Sequence, residues 1–525
     1  MSLDWFWAAV GPAAGLGLAG SLFAETLLEP RPLPPWARPW SALAVHAGVW
    51  LALYALVLTV VGRPWLALAL ALAVVMAVVV VNNAKFRSLR EPFVVQDFEY
   101  FADAVRHPRL YLPFLKVNVW VFSLCALVIA GLALAIRLEP WMFAGQGFAQ
   151  SAAGLFGLMG SAALLVASAR RSALPVTLNV EHDLVRLGLF GFLWRYAAEL
   201  RREVQVTTPF AEPPLSLPAD SLAHLVVVQS ESFFDPRTLW AGIRTDVLET
   251  FDATCREALA HGPLRVPAWG ANTIRTEFAF LFGLTPAQQG VHQFQPYRRL
   301  ALQGLPQLVS WLKQAGYRTV AVHPYVASFY QRARVFKALG FDEFIAEEGF
   351  RGAARAGPYV SDMAVAEKIS ELLGGDDSRP LFVFAITMEN HGPLHLESAT
   401  SADDAAAFDD APPATCTALS IYLRHLRNAD RMLAALRAAL EGSARPGCLC
   451  WYGDHVPIMP EVYAALGKPA GDTLYCLWQS GRPSKAPVPQ GLAVEHLALL
   501  LCAELGLRPP FSGDEGTNKG QNQTF

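Results

Sequence analysis

A series of long apolar segments near the N-terminus constrains the fold of this chain more than any other feature. A helix needs roughly 20 consecutive apolar residues to cross the hydrocarbon core of a bilayer. Five such segments occur in the first third of the 525 residues, at about 5–24, 41–62, 64–82, 118–137 and 152–169. One alone could be a buried helix of a soluble protein, but five in close succession predict a polytopic membrane domain. The first is not a cleavable signal peptide, because it lacks a basic start and more spans follow it.

The composition agrees with a membrane protein and argues against one class of partner. Hydrophobic residues make up 53% of the chain and charged residues 17%. The net charge is −3 and there is no dense Lys/Arg tract, so we do not expect nucleic acid as a partner. The seven cysteines show neither a zinc-knuckle spacing nor a disulfide framework, so they do not indicate the compartment.

The chain divides into four parts. An amphipathic stretch at 182–203 has an apolar run too short to span, so we expect a helix lying at the membrane interface. A proline-rich linker at 209–218 separates the membrane part from a second domain. We therefore expect a transmembrane domain, an interfacial helix with its linker, a catalytic domain and a polar tail, at 1–175, 176–219, 220–510 and 511–525.

The second domain alternates short apolar runs with helical patterns, which predicts an α/β fold with a central, mostly parallel sheet covered on both faces. The predicted strands are His224–Gln229, Arg318–His323, Leu381–Thr387 and Cys448–Tyr452. The predicted helices are Asp246–Ala260, Thr276–Phe282, Leu305–Ala315, Ser328–Leu339, Asp362–Leu373, Thr417–Leu440 and Ala493–Leu505. An Ala/Asp-rich tract at 398–413 fits neither pattern, and we expect a mobile surface loop there.

Basic residues in the membrane part predict an orientation. The connection between the third and fourth predicted spans carries Lys85, Arg87 and Arg90, and Arg170 and Arg171 follow the fifth. Lysine and arginine concentrate in cytoplasmic loops, so both connections are expected in the cytoplasm. Charge alone would therefore place the second domain in the cytoplasm as well.

Potential metal ligands follow two of the predicted strands. Asp454 and His455 come just after the strand that ends at Tyr452, and Glu231 follows the strand that ends at Gln229. Side chains at the carboxyl ends of strands in an open α/β sheet project into the crevice where ligands bind, and carboxylates with an imidazole suit a divalent metal. The alternative is a set of helix caps and an exposed histidine.

Thr273 is the candidate nucleophile. It lies in a small-residue turn near the start of an apolar helix, where free N–H groups and the helix dipole stabilise an oxyanion or a phosphate. A threonine at this position could serve only as a cap. If a metal also contacts its oxygen, the alkoxide becomes accessible near neutral pH and the side chain becomes a nucleophile.

Four motifs occur in a fixed order: Glu231, then Asn272-Thr273 with Glu277-Phe278, then Glu389-Asn390-His391-Gly392-Pro393, and finally Tyr452-Gly453-Asp454-His455. With five membrane spans before them, they resemble the lipoteichoic acid synthase family, membrane phosphoglycerol transferases of the alkaline phosphatase and sulfatase superfamily. The resemblance implies one divalent metal, Mn²⁺ favoured over Mg²⁺ or Zn²⁺, held by Glu231, Thr273, Asp454 and His455, with Thr273 as nucleophile.

The stretch from His323 to Asp342 also resembles the substrate-binding segment of that family. Carried over by position, Arg332 would bind phosphate, His323 would line the site, and His391 would contact the glycerophosphate group. An arginine fork suits phosphate oxygens; the alternative for Arg332 is a surface ion pair. Tyr330 stands where the Gram-positive enzymes have a tryptophan, so the headgroup preference stays open between glycerol and ethanolamine.

The resemblance implies a transfer of glycerol phosphate from phosphatidylglycerol to a glycan or polymer acceptor through phosphorylated Thr273, with His391 or His323 as general base. The Cys-x-Pro-x-Arg type of motif that sulfatases need is absent near position 273. A phosphoethanolamine transferase or a phosphodiesterase of the same superfamily is the alternative, although the extra zinc ligands expected of the former are not found. An alternative of another class is a non-catalytic lipid-headgroup sensor or membrane scaffold.

The resemblance and the charge rule disagree about orientation. The glycan acceptors of this family lie outside the cytoplasmic membrane, which requires an extracytoplasmic catalytic domain on a multi-pass inner-membrane protein. With five spans, the N-terminus is then cytoplasmic and the basic loop from Lys85 to Lys116 lies outside. We follow the resemblance, because these basic residues could bind anionic lipid headgroups instead.

Overall fold

A computed structural model of the protein describes residues 4–99, 136–143, 148–170, 174–410, 412–482 and 487–509. The chain forms two compact units, Met1–Glu203 and Val204–Phe525. Each unit has its own hydrophobic core.

The first unit is helical. Its helices are α1 Asp4–Glu25, α2 Trp40–Val61, α3 Pro64–Leu89, α4 Phe148–Arg170 and α5 Val180–Glu199. Four of them, α1 to α4, are long and apolar enough to cross a membrane. They correspond to four of the five predicted spans, whereas the span predicted at 118–137 falls almost wholly outside the described residues.

Contacts between the helix ends fix the directions of α1 to α4. At one end, Ser21 on α1 lies 2.9 Å from His46 near the start of α2, and the Glu29 N–H donates to Asn83 near the end of α3. At the other end, the N–H of Met142 donates to Gly62, and the hydroxyl of Ser151 on α4 donates to Met142. Helices α1, α3 and α4 therefore run one way and α2 the other, so the chain leaves α3 at one end and enters α4 at the opposite end.

Exposed tryptophans mark both ends of these helices. One end carries Trp36 and Trp40, and the other carries Trp5, Trp65 and Trp141, all of them at least 39% exposed. Tryptophan concentrates at the two interfaces between a membrane and water, where its apolar ring and its N–H find matching surroundings. This distribution agrees with helices that cross a bilayer.

Helix α5, the predicted interfacial helix, is broken rather than continuous. Gly188 has a φ of 70°, and the N–H of Leu189 that this break frees donates to the buried carboxylate of Glu25. Glu25 also pairs with Arg38 and His46. A Cβ at position 188 would lie 2.1 Å from the Arg38 guanidinium, so the position needs glycine both for its φ and for space.

The second unit is an eight-stranded sheet covered by helices. Its strands are β1 His224–Ser230, β2 Ala260–Arg265, β3 Arg318–Val322, β4 Glu343–Ile345, β7 Leu381–Ile386, β8 Gly447–Gly453, β9 Thr473–Gln479 and β10 Leu492–Ala493, with a separate hairpin of β5 Arg355–Ala356 and β6 Tyr359–Val360. The strand order is β10-β2-β9-β8-β1-β7-β3-β4, and only β9 runs antiparallel to its neighbours. The predicted mostly parallel sheet is confirmed.

Helices cover both faces of this sheet. They are α6 Glu249–Glu257, α7 Thr273–Phe282, α8 Pro286–Gln289, α9 Pro296–Arg299, α10 Leu308–Gln314, α11 Arg332–Leu339, α12 Asp362–Leu373, α13 Ser401–Ala407, α14 Thr417–Glu441, α15 Pro460–Leu466 and α16 Val494–Glu504. Strand β1 is buried on both sides: Val226 and Val228 join the core beneath α12 and α14, and Leu225 and Val227 join the core beneath α7 and α16. This burial explains its continuous apolar run.

Three predicted element bounds are corrected. Helix α7 begins at Thr273 rather than Thr276, and α11 begins at Arg332 rather than Ser328, because Tyr330 and Gln331 have φ values of 53° and 59°. The tract expected to be a mobile loop contains α13, whose N-terminus is capped by a reciprocal pair of hydrogen bonds between Thr400 and Asp403. The alanines of that tract favour a helix once its start is capped.

Candidate active site and metal centre

The site lies where the carboxyl ends of β8, β1, β7 and β3 meet. Gln229 on β1 stands opposite Tyr452 on β8 and Ile386 on β7, so the residues that follow these strands reach the same edge. Two hydrogen bonds join the loops there. The N–H of Glu231 donates to the Thr387 hydroxyl at 3.0 Å, and the N–H of Ser232 donates to Asp454 Oδ1 at 2.8 Å.

Gly453, the last residue of β8, allows the β1 and β8 loops to approach each other. A Cβ at this position would lie 1.9 Å from the carbonyl oxygen of Phe233. Real Cβ atoms do not approach backbone atoms so closely, so any side chain here would force the two loops apart. Asp454 and Glu231 are neighbours because of this glycine.

Glu231, Asp454 and His455 form a buried group. Two of its atoms that carry lone pairs, and so could bind a metal, have no hydrogen-bond partner among the described residues. Asp454 Oδ1 accepts from the N–H groups of Ser232 and His455, which leaves Oδ2 without a partner. His455 Nδ1 lies 3.1 Å from the carbonyl oxygen of Val456, so Nδ1 carries the proton and donates. Its Nε2 keeps a lone pair, lies 3.2 Å from Asp454 Oδ2 and 3.7 Å from Glu231, and also lacks a hydrogen-bond partner.

These three side chains fit a divalent cation. One ligand atom from each lies within 4.8 Å of the others, and all three side chains are buried. Burial, together with the charge of Asp454, raises the pKa of Glu231 to about 8, which means that the ionised carboxylate is destabilised. A bound cation would stabilise it again. Ser232 donates its hydroxyl to Glu231 at 2.9 Å and so orients that carboxylate. Buried lone pairs with no donor are otherwise costly, so this arrangement is what a metal site requires.

Thr273 is the first residue of α7, and the helix is tied to the same group. The hydroxyl of Thr276, one turn later, donates to the backbone carbonyl of Asp454 at 2.8 Å. Asn272 before it has a φ of 68° and forms no side-chain cap, so its side chain does not take up the N–H groups at the helix start. The position of Thr273 as a metal ligand and nucleophile stays a prediction.

Arg332 is buried in an ion pair rather than exposed. Its side chain is 1% exposed, and its Nη2 donates to Glu277 at 2.8 Å. Glu277 also accepts a hydrogen bond from the Tyr297 hydroxyl. The ring of Tyr330 lies 5.3 Å from the Arg332 guanidinium carbon. Arg332 therefore forms an ion pair, as the alternative supposed, but a buried one rather than one at the surface, and its role in binding phosphate stays a prediction.

His323 and His391 differ in what their ring nitrogens do. His323 Nδ1 donates to the Ile386 carbonyl at 3.1 Å, and Nε2 accepts from Arg332 at 3.0 Å, so both nitrogens are used. Burial and the Arg332 charge hold the pKa of His323 well below its usual value. His391 Nδ1 donates to the Gly392 carbonyl at 2.6 Å, which makes Nε2 its basic nitrogen. Burial lowers the pKa of His391, and the opposing charges of Asp454 and Arg332 also act on it.

Several contacts around these residues were not anticipated from the sequence. Glu277 was recognised only as part of a motif, although it lies four residues after Thr273 on α7 and holds Arg332. The sequence likewise shows Glu389 only as part of a motif, yet its carboxylate lies within hydrogen-bond distance of His425 on α14. The signal in both cases was a charged residue in an apolar segment; the partners lie 55 and 36 positions away in the sequence.

Comparisons with known proteins agree with this fold. A model of the sulfatase family matches residues 223–482. A capsular polysaccharide biosynthesis protein, RkpI, of Rhizobium meliloti is 29% identical over 422 residues, which cover 75% of this chain and 73% of the relative. A putative cyclic β-1,2-glucan modification protein of the same organism is 30% identical over 250 residues, covering 47% of this chain and 38% of the relative.

Two solved structures extend the comparison. The phosphoglycerol transferase GacH of Streptococcus pyogenes is 22% identical with a TM-score of 0.45, covering 59% of this chain and 78% of that protein. The integral membrane phosphoethanolamine transferase EptA of Neisseria meningitidis is 14% identical with a TM-score of 0.56, covering 93% and 94%. The second likeness shows the fold alone: apolar N-terminal helices followed by a sulfatase-like domain. Residues 223–482 of this chain thus form a domain that matches the sulfatase family.

Proposed function

We propose that this protein is a membrane phosphoglycerol transferase that moves glycerol phosphate from phosphatidylglycerol to an extracytoplasmic glycan or polymer acceptor. The observation that carries the proposal is the buried group of Glu231, Asp454 and His455. Two of its lone-pair atoms have no hydrogen-bond partner among the described residues, and the Thr276 hydroxyl, on the helix that begins at Thr273, donates a hydrogen bond to the Asp454 carbonyl. A cation site beside a hydroxyl at a helix N-terminus suits phosphoryl transfer, because it stabilises negative charge where the phosphate would lie.

The proposed metal ligands are Glu231, Thr273, Asp454 and His455. Bound there, a divalent ion, with Mn²⁺ favoured, supplies positive charge that favours the deprotonated threonine and the charge on phosphorus. The protein residues supply the orientation. His455 donates from Nδ1 to the Val456 carbonyl, which leaves Nε2 pointing toward the carboxylates. The N–H and the hydroxyl of Ser232 donate to Asp454 and Glu231 and orient them.

In the first proposed step, Thr273 Oγ1 attacks the phosphorus of the lipid headgroup and forms a new P–O bond. The bond from phosphorus to the diacylglycerol oxygen breaks, and diacylglycerol leaves as an alcohol, so that overall the proton lost by the Thr273 hydroxyl is gained by the leaving oxygen. The N–H groups at the start of α7 and the Arg332 guanidinium stabilise the phosphoryl oxygens. Arg332 is prepared for this role because Glu277 fixes its orientation before substrate arrives.

In the second step, an acceptor hydroxyl attacks the phosphorylated Thr273. His391 Nε2 takes the proton of that hydroxyl, and the Thr273 oxygen leaves and is restored. We assign the general base to His391 rather than His323, because both ring nitrogens of His323 are already hydrogen-bonded. The lowered pKa of His391 keeps its imidazole neutral and able to accept a proton at neutral pH.

Phosphoethanolamine transfer is the closest alternative. We expected extra zinc ligands in such an enzyme. Among the residues that the structure describes, Glu231, Asp454 and His455 are the only group of three side chains with metal-ligand spacing. We favour glycerol phosphate as the donor group because the order of motifs resembles that of the phosphoglycerol transferases.

A glycan acceptor is supported by the relatives. One is named for capsular polysaccharide biosynthesis and is aligned over 73% of its length. Another is named for modification of a cyclic glucan, although this chain spans only 38% of it. Polysaccharides offer many hydroxyl groups, which are the nucleophiles that the second step needs.

We propose an extracytoplasmic catalytic domain in the inner membrane. The directions of α1 to α4 support an N-terminus on the opposite side of the membrane from the end of α4. Two of the basic residues that favoured the reverse orientation have acidic partners: Lys85 pairs with Glu91 and Asp97, and Arg87 pairs with Glu29.

Release of diacylglycerol tests the proposal. Purified protein with Mn²⁺ would be given labelled phosphatidylglycerol or labelled phosphatidylethanolamine. We expect release from phosphatidylglycerol by the wild type and none by Thr273→Ala. Thr417→Ala, a matched change at the exposed first residue of α14, should keep wild-type activity. No release by the wild type, or equal release by Thr273→Ala, would overturn the proposal; release only from phosphatidylethanolamine would favour the alternative.

A further inference from the structure

The loop that carries His391 is held at both ends by one histidine. The loop follows β7 and runs from Glu389 to Glu397, with a single 3₁₀ turn at Leu394–Leu396. His425, fully buried on α14, reaches both ends. Its Nδ1 lies 2.9 Å from Glu389 Oε1, and its Nε2 lies 3.1 Å from Glu397 Oε2.

This geometry requires a charged imidazole. Ionised carboxylates only accept hydrogen bonds, so a histidine placed between two of them must donate from both ring nitrogens. Burial opposes the charge, but the hydrogen bonds with Glu389 and Glu397 outweigh it and raise the pKa of His425 to about 9. The His425 cation therefore persists at neutral pH.

The other polar groups around this bridge belong to the same network. The N–H of Asp362 at the start of α12 donates to Glu389 at 2.7 Å, and Asn428 donates to the same carboxylate. Arg424 donates to Glu397 at 2.7 Å. Burial and the Glu389 charge raise the pKa of Asp362 well above its usual value.

The bridge also bears on the orientation of His391. Only one residue separates Glu389 from His391, and the hydroxyl of Tyr359 donates to Gly392 at 3.2 Å on the other side of the ring. Glu397 packs against the turn of the β5–β6 hairpin, where a Cβ on Gly357 would lie 2.6 Å from it. The two ends of the loop thus determine where the imidazole between them lies.

We propose that His425 is a positioning residue: as an imidazolium, it joins Glu389 to Glu397 and so fixes the orientation of His391 for the acceptor step. This inference rests on the proposed function, because it assigns His391 as the base of that step. Loss of one proton from the His425 imidazolium removes one of its two hydrogen bonds, because a nitrogen without a proton cannot donate to the carboxylate that it faces. The acceptor step should slow at alkaline pH, while formation of phosphorylated Thr273 should not.

The experiment compares wild type, His425→Gln, His425→Lys and His395→Gln from about pH 7 to about pH 10. The last is a matched control, because His395 is exposed within the same loop. The first turnover would be read as a burst of diacylglycerol, and the steady state as transfer to water or a glycan. We expect His425→Gln to keep the burst, to lower the steady-state rate about tenfold, and to lose the alkaline decline of the wild type. His425→Lys, which keeps a cation between the carboxylates, should recover part of the rate.

Hydrogen exchange of the peptide that covers 389–397 supplies a readout independent of turnover. At neutral pH we expect faster exchange in His425→Gln than in His395→Gln, and at about pH 10 we expect wild type and His425→Gln to agree. Equal exchange at every pH, or altered exchange with an unchanged steady-state rate and pH profile, would overturn the proposal. A wild type that releases no diacylglycerol at all would instead contradict the proposed function itself, whatever the exchange shows.

Discussion

Glu277 shows how much of the site depends on single buried charges. It lies on the helix that begins at Thr273, and it holds Arg332, which comes from the start of α11. Both side chains are almost fully buried, so each charge depends on the other for compensation. The proposed nucleophile and the proposed phosphate ligand are thus linked through one helix.

Replacing Glu277 by glutamine should misorient Arg332. A hydrogen bond to a charged group contributes about 1.5–3 kcal/mol, so we expect kcat/KM for the lipid donor to fall by about 10- to 100-fold. Steady-state kinetics of Glu277→Gln against Glu367→Gln, an exposed helical position, would measure this. Wild-type kinetics in Glu277→Gln would contradict the assignment of Arg332.

The metal site can be tested without turnover. Asp454→Asn removes the charge of a carboxylate whose Oδ2 has no hydrogen-bond partner in the part of the chain that the structure describes. A ligand present at 100 times its Kd stabilises the folded state by about 2.7 kcal/mol, so Mn²⁺ should raise the Tm of the wild type by several degrees. We expect little or no rise in Asp454→Asn and a normal rise in Asp472→Asn, an exposed control. An equal rise in all three proteins would rule out this site as the one occupied.

Residues that directly follow a strand could be predicted to lie in the site from the sequence, whereas residues whose partners are distant in sequence could not. Glu231, Asp454 and His455 were grouped because the ends of parallel strands share an edge. Nothing local to Glu277 or His425 reveals a partner, because the contacting residues are distant in sequence and meet only through the tertiary fold.

Among the elements, the junction of β1 and β8 is the part on which the site depends most. Their parallel pairing continues to Ser230 and Gly453, directly before the proposed metal ligands Glu231 and Asp454. The four strands predicted from apolar runs form the centre of the sheet. Of the strands that were missed, β2 contains a glycine and a proline and lies toward an edge, which hides it from an apolar-run search. The strand β9 has a continuous apolar run and was overlooked.

Gly453→Ala should separate the two loops. The added Cβ would meet the carbonyl oxygen of Phe233 at 1.9 Å, and backbone cannot move aside as a flexible side chain can. We expect a loss of about 1–3 kcal/mol in the free energy of unfolding together with weakened metal binding. Gly374→Ala, where a Cβ would make only ordinary contacts, is the control. Thermal unfolding with and without Mn²⁺ would show the difference, and similar behaviour of the two variants would refute this view of the junction.

Helix starts were harder to predict than strands, for a physical reason. The onset of α11 depends on Tyr330 and Gln331, two non-glycine residues in the left-handed region. Such conformations cost of order 1 kcal/mol or more each and persist only when surrounding structure imposes them. Sequence pattern alone extends the helix through them, because their residue types do not forbid it.

For the whole molecule, a membrane domain at 1–175 and a catalytic domain at 220–510 were predicted, with an interfacial helix and linker at 176–219 between them, and the structure divides the chain between Glu203 and Val204. Orientation could not be predicted in the same way. The positive-inside rule counts lysines and arginines, and it takes no account of the acidic partners that Lys85 and Arg87 find.

Reporter fusions test the orientation directly. We expect a C-terminal alkaline phosphatase fusion to be active outside the cytoplasm and a tag at the N-terminus to be inaccessible until the membrane is broken. We expect this because α1 starts at one end of the set of helices and α4 ends at the other, which would put the two points on opposite sides of the membrane. An active cytoplasmic reporter at the C-terminus would contradict the orientation and, with it, the glycan acceptor.

The most direct test of the central claim is the site of covalent attachment. Wild-type protein with Mn²⁺ would be mixed with phosphatidylglycerol, stopped with acid during turnover and digested for peptide mass spectrometry. We predict a glycerophosphate adduct on Thr273, absent from Thr273→Ala and retained in Thr417→Ala. Sustained release of diacylglycerol with no adduct on Thr273, or with an adduct on another residue, would contradict the account.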